Sequence, residues 1–193
     1  MKPILFNTEM VRAIQNGTKM VTRRVVKPQP PSNTHPNLFV AQPYIPGEIL
    51  YVRETWCKTD CFGLQDGYIY KANDNAILEH TGFTPKWHPS IHMPREAARI
   101  FLRVTDVRVE RLQSITEEQA RAEGAEPFMM TADVDKPDNE KRWEEKLPAL
   151  VSFPGIWDSA IKPKDRALYS WEANPYVWVI EFERCEKPKE AVP

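Results

Sequence analysis

The sequence predicts an α+β fold in which a small barrel of bent strands is accompanied by few helices. Several short apolar runs have the pattern of strands, whereas only two segments combine helical periodicity with capping residues. The run 100–109 also changes the parity of its apolar positions, which indicates a bulge or bend. Bent strands are what small barrels need.

The N-terminal half is predicted from apolar runs and their boundaries. Residues 3–6 are a first strand, and residues 8–17 are a helix with Thr8 as its cap and Gly17 at its end. Residues 20–26 form a basic, β-branched strand, and a proline-rich loop follows at 27–37. A turn and strand occupy 46–56, and a short strand is expected at 67–72.

The C-terminal half contains the second helix between two strands. Residues 93–112 begin with a helical turn and continue as the bent strand, and residues 114–124 form a helix. Its capping box is either Ser114 with Glu117 or Thr116 with Gln119. Residues 176–182 are apolar on both faces, which predicts a central strand.

Composition limits the class of protein. The 193 residues fit one domain, which we place at 1–186 with loop insertions at about 57–92 and 125–150 and a frayed tail at 187–193. The 18 prolines against 7 glycines suggest many fixed loops. A net charge of −1 excludes a global field for nucleic acid, so polyanion binding would need a local basic patch.

The chain has no sequence feature of a secreted or membrane protein. Its 3 cysteines are too few for a disulfide framework, and the N-terminus lacks the pattern of a signal peptide. No run approaches the roughly 18 apolar residues of a membrane span. We therefore expect a cytoplasmic protein.

Lys19 and Thr22 are polar residues where a strand should be building a core. If turn geometry after Gly17 lets them converge, a partly desolvated lysine beside a threonine hydroxyl could favour an alkoxide. The alternative is a solvated basic edge strand, where lysines oppose aggregation. Spacing alone leaves both interpretations open.

Glu123 and the 51–56 segment also break local rules. Glu123 lies in the last helical turn, where the macrodipole disfavours a carboxylate, and it is either a functional acid or a tolerated surface residue. Arg53, Glu54 and Trp56 end a strand and could hold a planar polar ligand by stacking and edge hydrogen bonds. The alternative is an Arg–Glu surface pair beside a core tryptophan.

Cys57, Cys61, His88 and His92 are candidate zinc ligands. The spacing within each pair is compatible with zinc, but Pro89 separates the histidines and the gap between the pairs exceeds that of a compact finger. The chain also lacks a glycine-rich phosphate loop and a nucleophile elbow. We therefore predict neither metal nor cofactor.

Five segments together resemble the ASCH domain family of the PUA-like superfamily, and more narrowly its long phage and prophage members. They are residues 6–26, 46–56, 87–104, 107–124 and 157–182. The pattern G-x-K-x-x-T-x-R, from Gly17 to Arg24, is the most diagnostic part. The resemblance implies a PUA-like fold, a small bent β-barrel with flanking helices, which agrees with the strand pattern.

The resemblance also implies a ligand and a catalytic group. PUA relatives bind RNA, and one bacterial ASCH branch removes the acetyl group from N4-acetylcytidine with a Lys, a Thr and a Glu. These match Lys19, Thr22 and Glu123. That branch lacks the 125–150 insertion and most of 57–92, so the match covers the site and not these segments.

Two functions remain open from the sequence. In a hydrolase, Thr22 attacks an acylated cytosine, Lys19 accepts its proton, and Glu123 orients the lysine or protonates the leaving amine. Arg53, Glu54 and Trp56 would then frame the base.

The second function is binding without turnover. Arg23, Arg24, Arg53 and Arg95 would then flank a cleft for RNA or a modified nucleotide. A phage accessory role through an unidentified protein partner is a third option, with the 125–150 insertion as its contact.

Overall fold

The strands of the chain combine into one large sheet and two hairpins. The structure is a computed structural model that describes residues 1–31, 41–58, 67–73, 84–130, 135–140, 142 and 144–188. Its strands are β1 (Lys2–Leu5), β2 (Val21–Val25), β3 (Ile49–Arg53), β4 (Trp56–Lys58), β5 (Tyr68–Tyr70), β6 (Phe101–Arg111), β7 (Phe128–Met130), β8 (Glu144–Leu147) and β9 (Tyr176–Cys185).

The large sheet is mixed and five-stranded, in the order β1-β3-β6-β9-β2. β1 runs parallel to β3, and β3 runs antiparallel to β6. β4 pairs with β5 and β7 pairs with β8 in separate antiparallel hairpins. The fold is therefore α+β, as predicted.

The predicted closed barrel is not found. Among the described strands, β1 and β2 are the two edges of the large sheet, which is therefore open. A barrel requires its first and last strands to pair, whereas a bend in one strand requires only curvature. The bend itself agrees with the burial of β6, because Leu102 and Val104 are buried, Thr105 is exposed, and Val107 is buried again.

The helices are short and follow the strands. They are α1 (Thr8–Gln15), α2 (Glu117–Ala122), α3 (Ala149–Ser159) and α4 (Arg166–Tyr169). Asn7, rather than the predicted Thr8, caps α1, because its side chain accepts a hydrogen bond from the Met10 N–H at 2.8 Å. Of the two capping boxes predicted for α2, Thr116 with Gln119 is the one present.

Residues 1–17, 44–106 and 181–193 form a first compact unit, and residues 18–43 and 107–180 form a second. In the first unit, α1 buries Val11 and Ile14. A further cluster of the first unit is built from Tyr51, Met93, Ala97, Ala98 and Phe101. β6 and β9 each contribute residues to both units.

The second unit has its own apolar core. Buried side chains from β2, α2, α3, β9 and the segments that flank α2 make this core, namely Val21, Leu112, Ile115, Ala120, Ala125, Ala149, Phe153, Trp157, Val177 and Val179. α3 was not predicted from the sequence, because Pro154 and Gly155 interrupt its helical pattern. α2 and β2 also carry polar side chains, Gln119 on α2 and Arg23 on β2.

The two predicted insertions contain hairpins where the structure describes them. β4 and β5 lie within or beside 57–92, and β7 and β8 lie within 125–150. Residues 189–193 of the predicted tail lie outside the described residues. Within the described part of the chain, no helix is long and apolar enough to cross a bilayer.

Glu117 joins α2 to the start of α3. Its Oε1 accepts the Ala149 N–H at 3.0 Å and its Oε2 accepts the Leu150 N–H at 2.8 Å. Pro148 precedes α3 and supplies no side-chain cap, so Glu117 satisfies donors that the helix start leaves open. The Leu150 N–H is the main cause that lowers the pKa of Glu117 from its ordinary value of 4.5.

We predict that Glu117→Gln destabilises the protein at neutral pH. A lowered carboxyl pKa contributes stability above about pH 4.5, and this contribution is lost as the pH falls through the folded-state pKa. Thermal melting at pH 7 should therefore show a decrease of about 2–4 °C. The difference from wild type should shrink in acid, where both side chains are neutral.

Glu172→Gln is the matched control, since Glu172 is an exposed carboxylate of the same unit. It should melt like the wild type. A Glu117→Gln protein that also melts like the wild type at every pH would contradict the capping role.

Candidate functional site

Lys19 is a fully buried lysine in the second unit, just before β2. Its side chain is 0 % exposed. Its Nζ donates to the carbonyl oxygens of Val21 and Glu123 and to Glu123 Oε2, each at 2.8 Å. Because an ammonium carries three N–H donors, these three acceptors can take one each. Lys19 thereby ties the start of β2 to the end of α2.

Burial changes the acid–base behaviour of Lys19. The pKa of Lys19 is lowered from its ordinary value of 10.5, mainly because burial removes the charged amine from water. The Glu123 carboxylate opposes this shift, while the cations Arg24 and Arg23 add to it. The neutral form of the Lys19 amine is therefore populated at a lower pH than in an exposed lysine.

Glu123 occupies the C-cap of α2, where the predicted helix register placed it. Gly124 follows with φ +88°, a backbone conformation that glycine adopts without strain and that ends the helix. The carboxylate is held on both oxygens, Oε2 by Lys19 at 2.8 Å and Oε1 by Arg23 Nη1 at 3.1 Å. Two cations thus fix its position.

Arg23 adds two residues that the sequence did not indicate. Its buried guanidinium donates from Nη2 to Gln119 Oε1 at 2.7 Å, and the same Nη2 lies 3.6 Å from Glu110 Oε2. Gln119 stands one helical turn before Glu123, so the i, i+4 spacing was the available signal. Lys19, Arg23, Gln119 and Glu123 are called the polar cluster below.

Thr22 is buried in β2, and its side chain is positioned by strand alternation. Val21 and Val25 pack with the core of the second unit, and Arg23 shares their parity. Alternation therefore places Thr22 and Arg24 on the opposite face of β2. Arg24 Nη1 donates to the Arg23 carbonyl oxygen at 3.4 Å. The structure thus joins Lys19 to Glu123 by direct contact, and the nucleophilic role of Thr22 stays a prediction.

The remaining predicted ligand residues belong to the first unit. Glu54 is 1 % exposed and accepts two hydrogen bonds from Arg99, from Nε at 2.9 Å and from Nη2 at 2.8 Å. Its partner is thus Arg99 and not the neighbouring Arg53. Arg95 is an exposed residue at the start of a 3-10 turn.

Arg53 and Trp56 each keep one buried donor without an acceptor among the described residues. These atoms are Arg53 Nε and Trp56 Nε1. Trp56 packs against Tyr68 and His88, with ring centroids 5.6 and 5.1 Å away. The rings around Trp56 are thus supplied by the protein itself, and ligand binding by Arg53, Glu54, Trp56 and Arg95 stays a prediction.

The candidate zinc ligands do not form a metal site within the described residues. His88 pairs with Trp56 through two main-chain hydrogen bonds of 2.7 and 3.2 Å. Cys57 is buried, and Cys61 lies outside the described residues. Within the described ranges, no group of three or more His, Cys, Asp or Glu side chains is arranged to hold a metal ion.

Comparison with known proteins adds no relative to this description. No family model, curated protein or solved structure matches the chain. The resemblance to ASCH domains therefore depends on the sequence segments quoted above. The case for a functional site depends on the buried polar cluster, in which Lys19 and Glu123 meet across 104 positions of sequence.

Proposed function

We propose that the chain is an ASCH-type protein of PUA-like fold that binds a modified cytosine base, as a nucleoside or in RNA, and hydrolyses its N-acyl group. The buried contact between Lys19 and Glu123 supports this proposal most directly. Strongly perturbed ionisable groups concentrate at functional sites, because catalysis needs pKa values far from the solution ones. An amine and a carboxylate in contact can act as general base and general acid, the two roles that amide hydrolysis requires.

The reaction follows from the chemistry of three side chains. Thr22 Oγ1 attacks the amide carbonyl carbon, and neutral Lys19 takes the hydroxyl proton. Glu123 holds the amine and relays a proton to the departing exocyclic nitrogen, which leaves as the free base. Water then hydrolyses the acyl-threonine ester, releasing the carboxylic acid and restoring the hydroxyl. The arrangement requires the substrate carbonyl to reach the Thr22 side of β2, and it requires the hydroxyl proton to pass from that side to Lys19 Nζ, which contacts the Glu123 carboxylate that Arg23 also holds.

We predict that the purified protein converts N4-acetylcytidine to cytidine and acetate. Thr22→Val, which keeps the shape and removes the hydroxyl, should lower turnover at least about 10³-fold. Lys19→Met should lower it by about 10²–10⁴-fold, because it removes the base. Product formation can be followed by chromatography of the nucleosides.

Two variants control this experiment. Thr22→Ser retains a hydroxyl and should keep measurable turnover, and Lys162→Met removes an exposed lysine of the same unit and should change nothing. If wild-type turnover does not exceed that of Thr22→Val, the hydrolase proposal is wrong.

The rate should rise with pH. Only neutral Lys19 can accept the proton, and its lowered pKa moves the rising limb of kcat/KM below pH 10.5. Arg24→Gln removes a cation that lowers the pKa of Lys19, so the midpoint of this limb should move to higher pH. A midpoint that does not move, or moves to lower pH, would contradict Lys19 as the base.

A binding module without turnover is the second candidate. It is favoured by the three acceptors around Lys19 Nζ, which allow the charged amine to persist as a structural cation. It is also favoured by the position of Thr22 across β2 from Arg23. Arg24, which shares the face of Thr22, would then contact an RNA phosphate.

We predict for this candidate that binding of a short cytidine-containing RNA weakens steeply with salt. Each phosphate contact of a single strand contributes a slope of about −0.7 in log K against log salt concentration. Arg24→Gln should make the slope less negative by about 0.7, and Lys162→Gln should leave the slope unchanged. Fluorescence anisotropy at several salt concentrations measures both, and salt-independent binding or none would exclude this candidate.

A further inference from the structure

Arg23 has one edge that the protein does not satisfy. Its Nη1 and Nη2 donate to Glu123 and Gln119, but its Nε–H is buried and has no acceptor among the described residues. In the planar guanidinium, Nε–H and one N–H of Nη2 point along the same edge. A buried donor left without an acceptor costs about 1–3 kcal/mol.

Glu110 faces the same edge with an unpaired acceptor. Its Oε1 accepts from Arg108 Nε at 2.6 Å, whereas its buried Oε2 receives no hydrogen bond from the described residues. Oε2 lies 3.6 Å from Arg23 Nη2, which is beyond hydrogen-bond distance. The two partners of this ion pair therefore each contain one buried polar atom without a hydrogen bond from the described residues, Arg23 Nε and Glu110 Oε2.

The Arg99–Glu54 pair shows what a complete contact of this type looks like. There the Nε and Nη2 edge of the arginine meets both carboxylate oxygens at 2.9 and 2.8 Å. Arg23 and Glu110 have the same groups but leave one atom of each unpaired. Arg23 Nε and Glu110 Oε2 are both buried, while the Glu110 side chain as a whole is 23 % exposed and that of Arg23 is 0 % exposed. A ligand would therefore have to enter from the Glu110 side and displace the Glu110 carboxylate from its 3.6 Å contact with Arg23.

We propose that Arg23 Nε and Glu110 Oε2 recognise the base edge of the ligand, with Glu110 as a specificity-determining residue. This inference rests on the second candidate of the proposed function, the binding module, because Arg23 lies on the face of β2 opposite Thr22. The pair offers one donor and one acceptor, so its ligand must present an acceptor next to a donor. Cytosine has this pattern, with N3 as the acceptor and the exocyclic N4–H as the donor. Glu110 accepts the N4–H, and Arg23 donates to N3.

The test compares cytidine with N4,N4-dimethylcytidine, which has no N4–H. Isothermal titration calorimetry on the full chain should show that the wild type prefers cytidine by about 10-fold or more. In Glu110→Ala, which has lost the acceptor, the ratio of the two affinities should fall to about 1. A Glu110→Ala protein that keeps the wild-type ratio overturns the inference, and so does a wild type that does not discriminate.

A second variant covers the case in which Glu110→Ala does not fold. Glu110→Gln keeps the shape and a neutral acceptor, and neutral hydrogen bonds are weaker than charge-assisted ones. Its ratio should lie between those of the wild type and Glu110→Ala, and an unchanged ratio counts against the inference. Glu172→Ala, an exposed glutamate of the same unit, should retain the wild-type ratio.

The same ligands separate this inference from the proposed reaction, because cytidine is the product of that reaction. Discrimination that depends on Glu110, without turnover of N4-acetylcytidine, would support base recognition by Glu110 and contradict the hydrolase proposal. Turnover of N4-acetylcytidine, with discrimination that does not depend on Glu110, would support the hydrolase proposal and contradict base recognition by Glu110. A wild type that binds neither nucleoside and does not turn over N4-acetylcytidine would overturn both.

Discussion

The structure of the second unit depends on the ion pair between Lys19 and Glu123, both of which lie in its interior. Taking an ammonium out of water costs several kcal/mol, and the cost is offset only when the geometry and hydrogen bonding are complete. Here the amine has three acceptors at 2.8 Å. Removing either partner leaves a buried charge and costs about 3–5 kcal/mol. The helix macrodipole disfavours a carboxylate at the end of α2 by about 0.3–1 kcal/mol, so the two cations that hold Glu123 dominate this smaller effect.

Local signals predicted much of the fold. The capping box of α2, the strand runs and the parity change of β6 are properties of short segments, and the structure contains the elements they predicted, although Asn7 and not Thr8 caps α1. Properties that depend on distant pairing were not predictable in this way. Pro154 is a helix breaker by local rules, yet the apolar face of α3, with Phe153 and Trp157, is buried in the core. Tertiary burial outweighs the local penalty there. Whether the edge strands close into a barrel likewise depends on distant pairing.

The candidate site was predicted in part, for the same reason. Lys19 and Glu123 broke local rules, a polar residue at a strand start and an acid at a helix end, and the structure brings them into contact. Glu110 broke no rule, because a glutamate near the end of a strand is ordinary in sequence. Its position beside Arg23 arises only when β2 and residues 107–111 of β6 come together in the second unit. Thr22 is a case in which the sequence suggested a contact that the strand does not favour. Its spacing from Lys19 suggested that the two side chains converge, but alternation along β2 places the Thr22 side chain on the face opposite Arg23.

The group formed by Lys19, Arg23, Arg108, Glu110 and Glu123 contains three cations and two carboxylates, because Arg108 donates to Glu110 Oε1 at 2.6 Å. Its formal charges therefore balance only after Lys19 has released its proton, and the protonated group carries one excess positive charge. A carboxylate product would be attracted to the protonated group and would lose that attraction when Lys19 becomes neutral, so loss of the proton would favour departure of the anion.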